Sequence, residues 1–251
     1  MVTGDLDFSI HGILIRGVSP RSAASAAGRP AARRATVAVD VVLLTPLRDR
    51  LGALLRRHGA RGRERWTLPW DGPRPGETPD ACAARVASGA AGGEPTWLEQ
   101  AGAHGGPRRH PGDAELSLAY VGAIPLGAPP PATPDLAWHP LDALPALPPR
   151  HQDIVAAASE ALRRRLDQAP IAFRLLPPAF TLSELQQIYE LLLGRRLHKA
   201  SFRRALQAAW LVDPTDEWRS EGRGRPAQLF RYAPRRRRGG RRGVRFDLLG
   251  A

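Results

Sequence analysis

The chain has a single cysteine, Cys82, a single lysine, Lys199, and no asparagine. One cysteine excludes an internal disulfide and suits a reducing, cytoplasmic setting. No apolar run approaches the length that crosses a bilayer, so no membrane-spanning helix and no membrane partner are expected. Near the amino end stand Asp5 and Asp7, with no basic-then-apolar leader, so no signal peptide is expected. Carboxylates are scarce in the alanine-rich helix expected before Gly93, whose only charges are Asp80 and Arg85. Hard divalent cations need clustered oxygen ligands, and that helix supplies none. His104, His110, Asp113 and Glu115 are too scattered to read as a metal site, so neither a metal nor a cofactor is expected.

Arginine is what the chain has in excess. The formal net charge is +13 over 251 residues, which points to an anionic polymer, usually nucleic acid. Alanine, glycine and proline are abundant too, as GC-rich coding produces, and part of the arginine excess is compositional.

Residues 1–34 read as a flexible arm: Ser19–Arg34 is small, polar and flanked by arginine. Thr36–Thr45 is β-rich and apolar, as in a buried strand, and Leu51–Arg57 reads as a second strand after a turn at Arg48–Arg50. Leu116–Ile124 reads as another buried strand, and Gly127–Asp135 as a proline-rich loop. Trp138 and the following PLDALPALPP run read as a short connection into a helix from about His151 to Asp167. That helix has Ile154, Ala158, Leu162 and Leu166 at near-helical spacing and Arg163–Arg165 on a wet face. Ile171–Pro177 is a further strand candidate.

The segment Trp66–Gly93 resembles a Nudix box, G-x5-E-x7-R-E-U-x-E-E-x-G-U with U apolar. Glu77 matches the first glutamate, Arg85 the arginine and Gly92 the closing glycine, while Asp71 stands at the first glycine. The three metal-binding glutamates of the pattern fall on Val86, Gly89 and Ala90. These positions, spaced i, i+3 and i+4, share one helix face.

The second unit begins with that strand candidate, and a helix start follows at Phe180–Glu184. Thr181 can cap, Glu184 lies three residues on, and Phe180 can pack on Leu185. Leu182, Leu185, Tyr189 and Leu192 form a stripe that stops at Gly194. The next helix turns Phe202, Leu206 and Ala209 inward and Ala200, Arg203, Arg204 and Gln207 outward. A charged tip, Glu221–Pro226, and the alternating Ala227–Tyr232 read as a wing. Helix, turn and helix with a basic outer face is the arrangement that enters a major groove.

The order of these parts, from about Thr36 to Tyr232, resembles the Nudix-related transcriptional regulators of NAD metabolism. The motifs PIAF-LLP, FTL-EL---YE, SFRR and GRPA-L-R carry the resemblance. It implies an α/β fold, a Nudix-like α/β/α sandwich with a mixed sheet followed by a winged helix-turn-helix domain. The expected limits are 35–150 for the Nudix-like part, 151–168 for the connecting helix, 169–234 for the winged helix and 235–251 for a basic disordered tail. The resemblance also implies a homodimeric, nucleoid-associated DNA-binding regulator, most simply a repressor. Its partners would be a double-stranded operator and a small phosphorylated or anionic effector such as ADP-ribose. Thr181, Lys199, Ser201, Arg203, Arg204, Arg223 and Arg225 are the DNA-binding candidates. Arg56, Trp66, Glu77 and Arg85 border the effector cleft by analogy. No catalytic residue is expected. Two alternatives stand beside this reading. One is a Nudix-type hydrolase with displaced carboxylates, Glu94, Glu99, Asp113 and Glu115, carrying a nucleic-acid-binding appendage. The other is a constitutive DNA-binding protein that has lost its ligand.

Overall fold

The computed structural model describes residues 35–59, 64–127, 133–166, 170–220 and 226–233. The expected arm, the basic tail, Asp167 and the wing-tip arginines Arg223 and Arg225 lie outside the described residues.

A mixed sheet runs in the order β3 (Arg65–Thr67), β2 (Arg50–His58), β1 (Val37–Leu47), β6 (Leu116–Ala123), β5 (Trp97–His104). The pair β1–β6 is parallel, and β1–β2, β2–β3 and β5–β6 are antiparallel. Short β4 (Trp70–Asp71) pairs with β1, and β7 (Leu136–Pro140) with β2. Trp138 and the PLDALPALPP run were expected to be connection, but Leu136–Pro140 is strand: Trp138 lies opposite Leu54 in the ladder, and Leu136 opposite Arg56.

β1 is buried on both faces, which explains its nearly unbroken apolar run. Val39, Val41 and Leu43 face helix α1 (Pro79–Ala91), and Val42 and Leu44 face helix α2 (Pro149–Leu166). Burying each such side chain contributes about 1.5–3 kcal/mol. α1 begins where Thr78 accepts the Ala81 N–H and Pro79 takes the first turn, and it ends at Gly92 in the left-handed region (φ 74°). Its alanines, Ala83, Ala87, Ala90 and Ala91, pack flat against the sheet.

The chain leaves α2 through a 3-10 turn, Ile171–Leu175, not the strand expected there. Its apolar run is short, and short apolar runs do not distinguish strand from helix by period. The Phe173 N–H turns back to the Pro170 carbonyl, which closes the turn and buries Ile171, Ala172, Phe173 and Leu175 together. The second unit then runs β8 (Ala179–Phe180), α3 (Leu182–Leu193), α4 (Lys199–Ala209), β9 (Val212–Arg219) and β10 (Ala227–Tyr232), with a sheet in the order β8-β10-β9. α3 has a complete capping box: Thr181 accepts the Glu184 N–H, and Glu184 accepts the Thr181 N–H. Among the described residues no helix is long and apolar enough to cross a membrane.

Candidate functional site

The outer face of α4 is one part of the site. Phe202 and Leu206 are buried, and the Phe202 ring stands edge-on to Tyr189 of α3 at 5.5 Å. This fixes the roll of the helix and leaves Lys199, Arg203, Arg204 and Gln207 exposed. Among the described residues none of those three cations has a carboxylate partner. Ser201 is half-buried at the start of α4, its hydroxyl 3.3 Å from His198 Nδ1. Thr181 is buried and its hydroxyl is engaged in the capping box, so the structure gives this predicted contact a local folding task. Sequence reasoning missed Arg219, which donates to the Glu184 carboxylate at 2.7 Å and to the Ala179 carbonyl at 3.2 Å. It ties the turn end of the β9–β10 hairpin to the start of α3. No local spacing signals that tie, since 35 residues separate Arg219 from Glu184.

The second part is the loop before α1. Arg85 donates from Nε and Nη2 to the two oxygens of Glu77, each at 2.8 Å, and from Nη1 to Asp71 at 2.6 Å. Nη2 also reaches the Gly72 carbonyl at 3.2 Å. The guanidinium holds the Glu77 carboxyl down at about 2, helped by the Arg74 backbone N–H, and holds Asp71 below its usual range. Asp71, at the first glycine of the Nudix pattern, is thus the second carboxylate of an Arg85-centred clamp. Arg56 points to the α1 side of the sheet, 3.3 Å from Asp135.

Trp66 is not in this group. It lies opposite Arg57 in the β2–β3 ladder, so it projects to the α2 side, whereas Arg56 projects to the α1 side. There the Arg57 guanidinium sits 5.2 Å above its ring, and the His139 ring meets it edge-on at 4.4 Å. Strand parity thus places Trp66 and Arg56 on opposite faces of the sheet.

The family pattern implies a divalent metal at α1. The residues present do not fit one: Val86 and Ala90 are buried against the sheet, Gly89 has no side chain, and Glu77 is engaged by Arg85. The displaced carboxylates do not replace them. Glu99 pairs with Arg165 of α2, Glu94 and Glu115 are exposed, and Asp113 lies in a turn with φ 55°.

Among the described residues one group of metal-ligating side chains converges elsewhere: Asp40 of β1, His110 and His151 of α2, all buried. His110 Nε2 lies 3.0 Å from Asp40 Oδ1. His151 Nε2 lies 2.9 Å from the same oxygen, with its N–H off the line to it. The opposite nitrogens decide the chemistry. His110 Nδ1 accepts the Gly112 N–H and His151 Nδ1 accepts the Leu68 N–H, each at 3.0 Å. Both rings therefore carry their proton on Nε2, that of His110 directed at Asp40, leaving no lone pair for a cation. The group is a structural triad. Burial works against its charge, yet the two imidazoles hold the Asp40 carboxyl well below the carboxylate range. Burial also pushes His151 below the usual histidine value. Beside the triad, the buried Arg150 donates to the carbonyls of Arg108, Ala114 and Gly106. The strand-to-strand loop 105–115 is thereby pinned to the first turn of α2.

Where α2 faces α3 there is a cavity of about 1010 Å³, walled by Leu51, Leu144, Val155, Leu162, Leu191 and Arg163 among others.

Comparison with known proteins gives two family matches: the NUDIX domain over residues 34–158 and the NrtR DNA-binding winged helix domain over residues 172–232. Over 83 residues the chain is 41% identical to the ADPR responsive transcriptional repressor NtrR of Acinetobacter baylyi. That stretch is 33% of this chain and 33% of the relative, so the match spans a third of that protein's length. Among solved structures, Shewanella oneidensis NrtR complexed with a 27mer DNA superposes with a TM-score of 0.69 at 28% identity, over 79% of this chain and 94% of that one. A MutT/nudix family protein from Enterococcus faecalis, with a TM-score of 0.63 at 18% identity, covers 82% of this chain and 89% of that one and shares the fold.

Proposed function

We propose, from the premise that this chain is a Nudix-related regulator, a NUDIX domain joined to an NrtR-type winged helix, that it represses transcription and answers to ADP-ribose or a related anionic nucleotide. The observation that carries the proposal is the outward basic face of α4 in a winged helix fused to a Nudix sheet. Lys199, Arg203 and Arg204 reach base edges or phosphates in the major groove. Arg223 and Arg225, from their place in the sequence, follow the backbone or enter the minor groove.

The Nudix part binds and does not hydrolyse. Val86, Gly89 and Ala90 give no metal its ligands, and metal catalysis supplies much of the rate in phosphoanhydride cleavage. The effector is held by cation-to-phosphate contacts, with Arg56 reaching it directly and Arg85 shaping the loop through Glu77 and Asp71. Purified protein is therefore expected to bind ADP-ribose equally with Mg²⁺ or with chelator, and to release no AMP from it. Binding that vanishes with chelator, or turnover that depends on metal and on Glu77, returns the chain to the hydrolases.

The working form is a homodimer in the cytoplasm on an inverted repeat, because one winged helix reads too few base pairs to single out a site in a genome. Sedimentation at micromolar concentration is expected to give a dimer, and footprinting two half-sites about one or two helical turns apart. A strict monomer protecting one asymmetric half-site contradicts this part.

A further inference from the structure

We infer that His151 is a positioning residue that couples the effector loop to the winged helix through α2; the inference rests on the function proposed above. The segment Leu68–Asp71 enters the loop that Arg85 clamps, and two features of the buried triad grip it. The Leu68 N–H donates to His151 Nδ1 at 3.0 Å across 83 residues of sequence. The Trp70 ring meets His110 edge-on at 4.6 Å, and His110 is bonded to Asp40. A displacement of the loop on binding an anion therefore moves Leu68 against the first turn of α2.

The other end of α2 meets the reader. Ile154, Ala158 and Leu162 belong to one continuous apolar cluster with Phe173, Leu185 and Leu192, and that cluster reaches Phe202 and Leu206 under the basic face of α4. Between α2 and α3 lies the cavity, so α2 can shift there without overpacking a filled core. One helix is thus bonded to the sensing loop at its first turn and packed on the reading unit through Ile154, Ala158 and Leu162. A contiguous packed element of this kind can carry an energetic coupling between two sites.

The imidazole makes two separable contacts, and two substitutions separate them. Asparagine places an acceptor near the Nδ1 position and does not reach Asp40. Glutamine extends to the Nε2 position and leaves the Leu68 N–H without an acceptor. The experiment measures the affinity of the wild type, His151→Asn and His151→Gln for a duplex selected with the wild-type chain from a random library, with and without saturating ADP-ribose. The wild-type ratio is expected in the range of about 5- to 150-fold typical of allosteric coupling. His151→Asn keeps most of that ratio. His151→Gln brings it to near one while still binding both partners. Equal ratios in all three proteins overturn the inference and leave the proposed function standing. A wild-type protein that binds no duplex, or whose duplex affinity ignores ADP-ribose, ends both. Amide exchange on the wild type covers the case in which a variant fails to fold: exchange of the Leu68 N–H is expected to change when duplex binds. A Leu68 amide indifferent to the duplex overturns the inference on its own.

Discussion

Asp40→Ala is expected to lower the unfolding free energy by about 1–3 kcal/mol. Removing the carboxylate orphans the Nε2 proton of the fully buried His110 and takes the anion away from the buried His151 Nε2, and an unsatisfied buried donor costs roughly 1–3 kcal/mol. Neither ring can turn its proton elsewhere without breaking its bond to the Gly112 or Leu68 N–H. The same triad fixes the response to acid. His151 titrates below its unfolded value near 6.5, so the unfolded chain takes up that proton first and stability declines as the pH falls through about 6.5. Asp40 titrates below its unfolded value near 3.9, so its stabilisation is present above that pH and is lost as the pH falls further. Both groups act in one direction. Urea titrations of the wild type are expected to show stability falling from pH 7.5 to 5. In Asp40→Ala the midpoint at pH 7.5 is already low. An unchanged midpoint in the variant, or a wild-type curve flat over that interval, refutes the account.

Arg203→Ala with Arg204→Ala is expected to cost about 2–6 kcal/mol of duplex binding, taking roughly 1–3 kcal/mol for each lost bidentate contact. That is about 30-fold to 10⁴-fold in affinity. Both side chains are exposed and rest on no carboxylate among the described residues, so stability should move by no more than about 0.5 kcal/mol. The salt dependence separates two roles. A base-reading arginine alters sequence preference, whereas a phosphate-bound one weakens all sequences alike and reduces the slope by about one unit. Thr181→Ala is the contrasting control: it removes a cap worth about 1 kcal/mol of stability and leaves sequence preference intact. A double variant that binds its selected duplex as the wild type does would remove α4 from the interface.

Local chemistry was legible in the sequence, and long-range polar convergence was not. The Thr181–Glu184 capping box, the Gly194 stop and the two faces of α4 follow from residues close in sequence, and the structure has them. Short β3 and β4 were not legible, because a strand of two or three residues has no measurable period. Nor was the Arg85 clamp on Asp71: Asp71 read only as a departure from the glycine of the motif, while the loop brings it to 2.6 Å from the guanidinium. His110 is 70 residues from Asp40, and spacing carries no information at that range. One signal was available. Asp40 interrupts the apolar run Thr36–Thr45, and an acid in a strand buried on both faces must find donors.

The hollow between α2 and α3 is also a place for solvent: a space of about 1010 Å³ edged by Gln152, Ser159 and Arg163 is roomy and polar enough to hold water. Any rearrangement that brings α3 down on α2 expels part of that water to bulk, and a neutral osmolyte excluded from the space favours the closed state. Duplex affinity measured against osmolality then reads the closure directly: its logarithm rises if the reading state is the closed one and falls if the ligand-bound state is.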